Sequence, residues 1–184
     1  MHHYGAKEIA ASFRTVRNNT IKIAEEIPED KYSYRPAEGT KSVGELLTHI
    51  AFGTTFNEKV NLEEKRTTME GFDFMAYMAP LQAEQAKPRT KAQIVELLQQ
   101  RGENFAKQVE ALPNEFLAQN ITMPPGGHPP SRSRFDILIS AKEHEMHHRG
   151  QLMLIQRMLG ITPHLTRENQ ARMSAMQQAQ AAKK

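Results

Sequence analysis

Apolar residues recur every three or four positions through four long segments of this chain, and nowhere do they alternate with period two for long enough to build a sheet. Such spacing predicts an all-α fold. In the first segment Ile9, Phe13, Val16, Thr20, Ile23 and Ile27 draw one stripe along a helix that ends before Pro28. The second opens on Ser42-Val43-Gly44-Glu45, an S-x-x-E capping box, and runs through Leu46, Leu47, His49 and Ile50 toward Phe56. The third opens on the capping box Thr90-Lys91-Ala92-Gln93 and carries Ile94, Leu97, Leu98, Phe105, Val109 and Leu112 before Pro113. The fourth and longest begins near Ser133, with Asp136 at the box position. It continues through Ile137, Ala141, His144, His148, Gln151, Ile155 and Met158 to Gly160, with Pro163 as a stop.

About thirty residues, Asn61 to Arg89, separate the second and third segments, long enough for a crossover, so a bundle of these helices need not be simply up-and-down. A second irregular piece, MPPGGHPPSRS from Met123 to Ser133, is interrupted by proline and glycine and reads as a loop leading into the long helix. After Thr166 the chain has good helix formers but few large apolar residues. It predicts a short C-terminal helix or tail over 166–184, appended to a bundle over 1–165. A chain of 184 residues buries roughly 70% of its unfolded surface and needs no staples. It has no cysteine, which excludes disulfides, thiolate ligands and Fe–S clusters, so any bound metal must be held by imidazole, carboxylate or amide.

The N-terminus lacks the apolar run of a signal peptide and no stretch reaches the ~18 apolar residues of a membrane span, so a cytoplasmic, membrane-free protein is expected. The formal net charge of +3 is spread among alternating acids and bases. Only SRSR (Ser131 to Arg134) and Lys183-Lys184 have a basic excess, and both read as solvated surface rather than a nucleic-acid interface.

Chemistry concentrates in the fourth helix. His144 and His148, four residues apart, emerge from one face and can reach a common ion, and they share the stripe of Ile137, Ala141 and Ile155. His147 lies about 100° away. On the second helix His49 shares its stripe with Leu46, Gly53 and Phe56, and Gly53 and Gly150 would let the helices approach closely. Together His49, His144 and His148 suit a three-histidine site for a divalent ion of the Zn, Ni, Fe or Mn type with an open position. Gln151 is the candidate to orient a ligand, and Arg149 and Tyr32 are candidates to bind an anion, although a salt bridge and a packing role are the simpler expectations for those two. His2, His3, His128 and His164 read as surface residues.

The same helix also fits H-E-x-x-H through His144-Glu145-Met146-His147-His148, the zinc-protease pattern, with Glu168 at a spacing some such enzymes use for a third ligand. No metzincin-type extension follows, Gly160 and Pro163 interrupt the path to Glu168, and no strand edge is available to hold a peptide. Glu145 has a simpler role as the i, i+4 partner of Arg149.

Two stretches, EEIPEDKYSYRPAEGTKSVGELLTHIAFG (Glu25 to Gly53) and EHEMHHRGQLMLIQRMLG (Glu143 to Gly160), resemble the conserved runs of the DinB/YfiT-like family of metalloenzymes. The resemblance covers about residues 5 to 165. It implies a four-helix bundle with a long crossover connection, a metal held by His49, His144 and His148, and homodimerisation. Characterised relatives of that family include transferases and isomerases that use low-molecular-weight thiols. On that basis a transferase activating a small thiol, or water, against a small electrophile is the leading expectation. A non-enzymatic metal-binding or metal-sensing bundle is the alternative and the H-E-x-x-H protease the lesser one.

Overall fold

The computed structural model describes residues 4–182, so His2, His3, Lys183 and Lys184 lie outside the described residues. Its elements follow in the order α1 (Ala6–Glu26), α2 (Val43–Phe52), α3 (Thr55–Asn57), a π-helical turn (Glu58–Glu63), α4 (Phe74–Gln85), α5 (Lys91–Glu110), α6 (Asn114–Leu117), β1 (Asn120–Thr122), β2 (Ser131–Ser133), α7 (Arg134–Met158) and α8 (His164–Ala181). Capping sets three of the starts: the hydroxyls of Ser42, Thr90 and Ser133 accept from the backbone N–H of Glu45, Gln93 and Asp136. At the first two, the Glu45 and Gln93 side chains return a bond to the cap's own N–H.

The bundle is α1, α2, α5 and α7. Both α1 and α2 pack against α5 and α7, so these two helices, consecutive along the chain, sit diagonally. The chain reaches that arrangement by the expected crossover, which is not structureless. It holds the end of the π-helical turn and α4, whose N-cap Asp73 accepts from Ala76 N–H, while α3 and the start of that turn occupy the stretch over which the second helix is expected to run on toward Phe56. Ser131–Ser133 is not plain loop either: β1 and β2 form a short antiparallel ribbon, Asn120 opposite Ser133, too brief for period-two alternation to register in the sequence. No helix among the described residues is long and apolar enough to cross a membrane.

The apolar core is split along the bundle axis. One cluster joins Ile23, Leu47, Ile50, Leu98 and Leu152. The other joins Ile9, Phe13, Phe105, Val109 and Leu138. Between them lies a buried polar layer. Arg17, 3% exposed, donates from Nε to both carboxylate oxygens of Glu145 (3.0 and 2.9 Å), from Nη1 to the Leu98 carbonyl (2.9 Å) and from Nη2 to the Ile50 carbonyl (3.2 Å). One guanidinium on α1 thereby ties α2, α5 and α7 together. Gly102 makes room for it, since a Cβ there would lie 2.7 Å from Arg17 Cγ.

That layer corrects two expectations. Glu145 is the partner of Arg17 rather than of Arg149. The buried residues of α7 include Ile137, Ala141 and Ile155 of the expected stripe together with Leu138, Glu145, Leu152 and Gln156, whereas Met158 is exposed and His144 and His148 lie half-buried, facing His49 of α2.

Arg134 and His164 are also buried, contrary to the surface roles expected of them. Arg134, 1% exposed, donates to Gln119 Oε1, Asn61 Oδ1 and the Lys65 carbonyl and lies over the Phe116 ring, anchoring the crossover to the start of α7. His164 starts α8 and bonds Asn19 Oδ1 through Nε2 (3.2 Å). It is the buried residue of α8, and from Arg167 to Ala181 that helix is exposed.

Candidate metal centre

The i, i+4 spacing of His144 and His148 on α7 and the position of His49 on α2 bring three rings together, with centroids 4.6–5.0 Å apart. One nitrogen from each can be chosen so that all three lie within 4.8 Å of one another, and no other such group of histidine and acidic side chains occurs among the described residues. The facing atoms of His49 and His144 are their Nε2 nitrogens, 3.1 Å apart. Two imidazole nitrogens bound to one tetrahedral ion at ~2.0–2.1 Å would be separated by about the same distance.

Side-chain amides orient two of the rings. Gln85 Oε1 lies 3.2 Å from His49 Nδ1, and Gln151 Oε1 lies 2.8 Å from His148 Nδ1. An amide oxygen can only accept, so it favours the tautomer in which Nδ1 carries the proton and donates to it, leaving the Nε2 lone pair free as a ligand. Gln151 was legible one turn beyond His148. Gln85 was not, because it reaches His49 from the far end of the crossover, where no local pattern pointed to it.

The third ring is placed by absence of side chain. A Cβ at Gly53 would lie 2.7 Å from His144 Nδ1 and 2.8 Å from Cε1, so only glycine there leaves space for the ring. The close approach expected of Gly53 therefore admits an imidazole rather than a neighbouring helix backbone. Gly150 faces open space and serves no approach. His144 Nδ1 is buried without a hydrogen-bond partner.

Burial pushes the pKa of all three rings below the ordinary histidine value, that of His144 to about 4, with mutual repulsion among the histidines adding to the effect. The site therefore presents neutral imidazoles at pH 7. Three such donors without a carboxylate fit a divalent ion of the Zn, Ni or Fe type. His147 is exposed, outside the cluster, and its Nε2 lies 3.4 Å from Gln151 Nε2.

The remaining candidates are placed elsewhere. Tyr32 is a packing residue whose hydroxyl donates to the Ala24 carbonyl (2.8 Å). Arg149 is half-buried beside Glu145, and burial lowers its pKa. A zinc-protease assignment needs Glu145 free as a base, but its carboxylate is buried against Arg17, and Glu168 is an exposed partner of Lys22.

Two cavities border the histidines. One, of about 320 Å³, is bounded by His49, His144 and the side chains of α4, among them Tyr77, Met78 and Leu81. The other, of about 340 Å³, is bounded by His148 and Gln151 with Lys41, Leu46 and Ile155. They have no lining residue in common.

Comparison with known proteins agrees with this architecture. The DinB superfamily profile matches residues 12–152. The uncharacterized protein YjoA of Bacillus subtilis (strain 168) is 30% identical over 157 residues, 85% of this chain and 92% of that one. The crystal structure of that DinB-like protein superposes with a TM-score of 0.62 at 29% identity, covering 84% of this chain and 93% of the other. YfiT from Bacillus subtilis, described as a probable metal-dependent hydrolase with an unusual four-helix bundle topology, superposes with a TM-score of 0.63 over 88% of this chain and 91% of its own. Its identity of 14% carries the likeness of fold. With the profile spanning most of the bundle and a relative that aligns over nearly its full length, this chain belongs to the DinB superfamily.

Proposed function

We propose that His49, His144 and His148 hold one divalent transition metal and that the protein is a metal-dependent enzyme joining a low-molecular-weight thiol to a small electrophile. The observation that carries the metal site is the convergence of three neutral imidazoles, two of them with Nδ1 fixed by a glutamine. A divalent ion in such a site lowers the pKa of a bound thiol or water and so supplies a nucleophile at neutral pH. No fourth histidine or acidic side chain joins the cluster among the described residues, which favours an exchangeable position over a closed structural site.

Two features support a thiol cosubstrate over water. A transfer between two organic molecules needs a place for each, and the histidines are bordered by two cavities of separate lining. The cavity beside His148 has Lys41 in its wall, an ammonium suited to the carboxylate that small biological thiols carry. Water is the competing nucleophile, as the description of YfiT as a probable hydrolase suggests for that protein.

Metal analysis of the purified protein and of His49→Ala, His148→Ala and His147→Ala variants tests the site. Occupancy of about one per chain should be lost in the first two variants and kept in the third. Titrating cobalt- or nickel-substituted protein with cysteine and glutathione then tests the nucleophile, because direct coordination gives a sulfur-to-metal charge-transfer band. Absence of that band together with hydrolysis of ester or amide test substrates would establish the hydrolase instead. Absence of both would leave a metal-binding bundle.

A further inference from the structure

The cavity beside His49 and His144 adjoins a second apolar cavity. Phe56 and Phe74 line both, and the second, also of about 320 Å³, is otherwise walled by Val60, Met69, Phe72, Met123 and Ile137. Each lies at the lower end of the ~300–1,000 Å³ typical of small-molecule sites. Their common wall is ordered by edge-on aromatic contacts: the Phe56 ring lies 5.9 Å from Phe72, 6.4 Å from Phe74 and 5.9 Å from Tyr77.

The polar groups along this trough are nearly all committed elsewhere. Gln85 Oε1 is bonded to His49. The Tyr77 hydroxyl, at the histidine end of the trough, is buried and has no hydrogen-bond partner among the described residues. Arg132, in the wall of the second cavity, is paired with Asp136 at 2.6 Å. The uncommitted polar atoms along the trough are therefore those of its histidine end, with the Tyr77 hydroxyl beside them, and none is found in the second cavity among the described residues. Phe74 is 53% exposed although the rings of Phe56 and Tyr77 lie beside it, and α4 has no buried residue, so this wall presents an apolar face open to solvent.

We infer that the electrophile is an elongated amphiphile, with one polar reactive head at the histidines and a neutral aromatic or aliphatic tail lying across Phe56 and Phe74 into the second cavity. The inference rests on the metal-site reading above and names the substrate class of that site. A charged tail is excluded by the same walls, since it would lose its hydration with no counter-charge free to replace it. The gain from a neutral tail is the apolar area it and Phe74 remove from water.

A series of metal-binding probes tests this by calorimetry on zinc-loaded protein: acetohydroxamate, benzohydroxamate and 4-phenylbenzohydroxamate. The head is constant and the tail grows. Affinity should rise by about tenfold or more from the first to the last, from apolar burial alone. Phe74→Ala should remove most of that rise, read as the ratio of the longest probe's affinity to that of acetohydroxamate on the same variant, and because Phe74 is half-exposed the variant keeps its fold. No rise with tail length, or an equal rise in Phe74→Ala, while acetohydroxamate still binds, overturns the tail site and leaves the metal site standing. Leu154 lines the cavity beside His148, so a rise that survives Phe74→Ala but is lost in Leu154→Ala places the tail there and overturns the inference likewise. Failure of acetohydroxamate itself to bind overturns the metal-site reading, and the inference with it.

Discussion

Replacing Arg17 by methionine should destabilise the fold by about 3–5 kcal/mol, because it leaves a buried carboxylate without its cation. The magnitude follows from the surroundings. Glu145 is 1% exposed, both of its oxygens are bonded to Arg17 Nε, and among the described residues no other salt bridge reaches it, Arg149 acting on it only at longer range. Methionine fills much of the volume, so the lost term is electrostatic rather than a cavity. The Ile50 carbonyl still accepts from Gly53 N–H at 3.0 Å, so losing the guanidinium does not orphan it. The double variant Arg17→Met/Glu145→Leu removes both charges and should fall within about 1–2 kcal/mol of the parent, since an apolar replacement of a buried ion pair is often near neutral. The coupling between the sites is therefore expected to be large and favourable. Urea unfolding of the four members of this cycle at pH 7, followed by circular dichroism, measures it, against a total stability of ~5–15 kcal/mol for a domain of this kind. A cost below about 1 kcal/mol for Arg17→Met, or a double variant as unstable as the sum of the singles, would refute the account of the polar layer as an ion pair holding four helices in register.

Three further outcomes are expected. Gly53→Ala should retain full helix content but weaken metal affinity at least about tenfold in a chelator competition, because its Cβ would lie 2.7 Å from His144 Nδ1 and force the ring away. Gln85→Ala and Gln151→Ala should each cost about 10–100-fold in metal affinity without loss of stability, through release of the His49 and His148 rings. His164 should make the docking of α8 depend on pH. Burial holds its pKa below the unfolded value of ~6.5, so the unfolded chain takes up the proton first, and its contribution is present above about pH 6.5 and lost as pH falls below that value. Thermal midpoints of wild type and His164→Gln at pH 7.5 and 5.5 should therefore converge or cross on acidification, and an unchanged gap would show that His164 is not buried in its neutral form.

The parts of the site that were legible in the sequence are those encoded within one helix. His144 and His148 fall on one face because 3.6 residues make a turn, and Gln151 meets His148 for the same reason. His49 could be matched to them because it shares a stripe with the apolar residues of α2. The groups that were missed act across long separations. Gln85 reaches His49 over 36 residues, Arg17 reaches Glu145 over 128, and His164 reaches Asn19 over 145. Each is a polar residue whose own neighbourhood gives no sign of a buried partner, which is why Glu145 was assigned to the nearer Arg149 and His164 to the surface.

The sequence by itself determined the local units: where α2, α5 and α7 begin, through a hydroxyl and a carboxylate or amide three residues apart, and where α1 stops, through Pro28. It also determined that the three imidazoles could converge, because helical periodicity is a property of adjacent residues. Tertiary structure alone decided how α7 is turned. Glu145 is buried with Ile137, Leu138, Ala141, Leu152 and Ile155 because Arg17 of α1 meets it there, while His144 and His148 face His49 of α2. It decided, too, that the crossover would supply Gln85 and the aromatic wall, and that Gly53 would be space for a ring. Those outcomes depend on which surfaces meet once the chain is closed, and no local preference of the backbone carries that information.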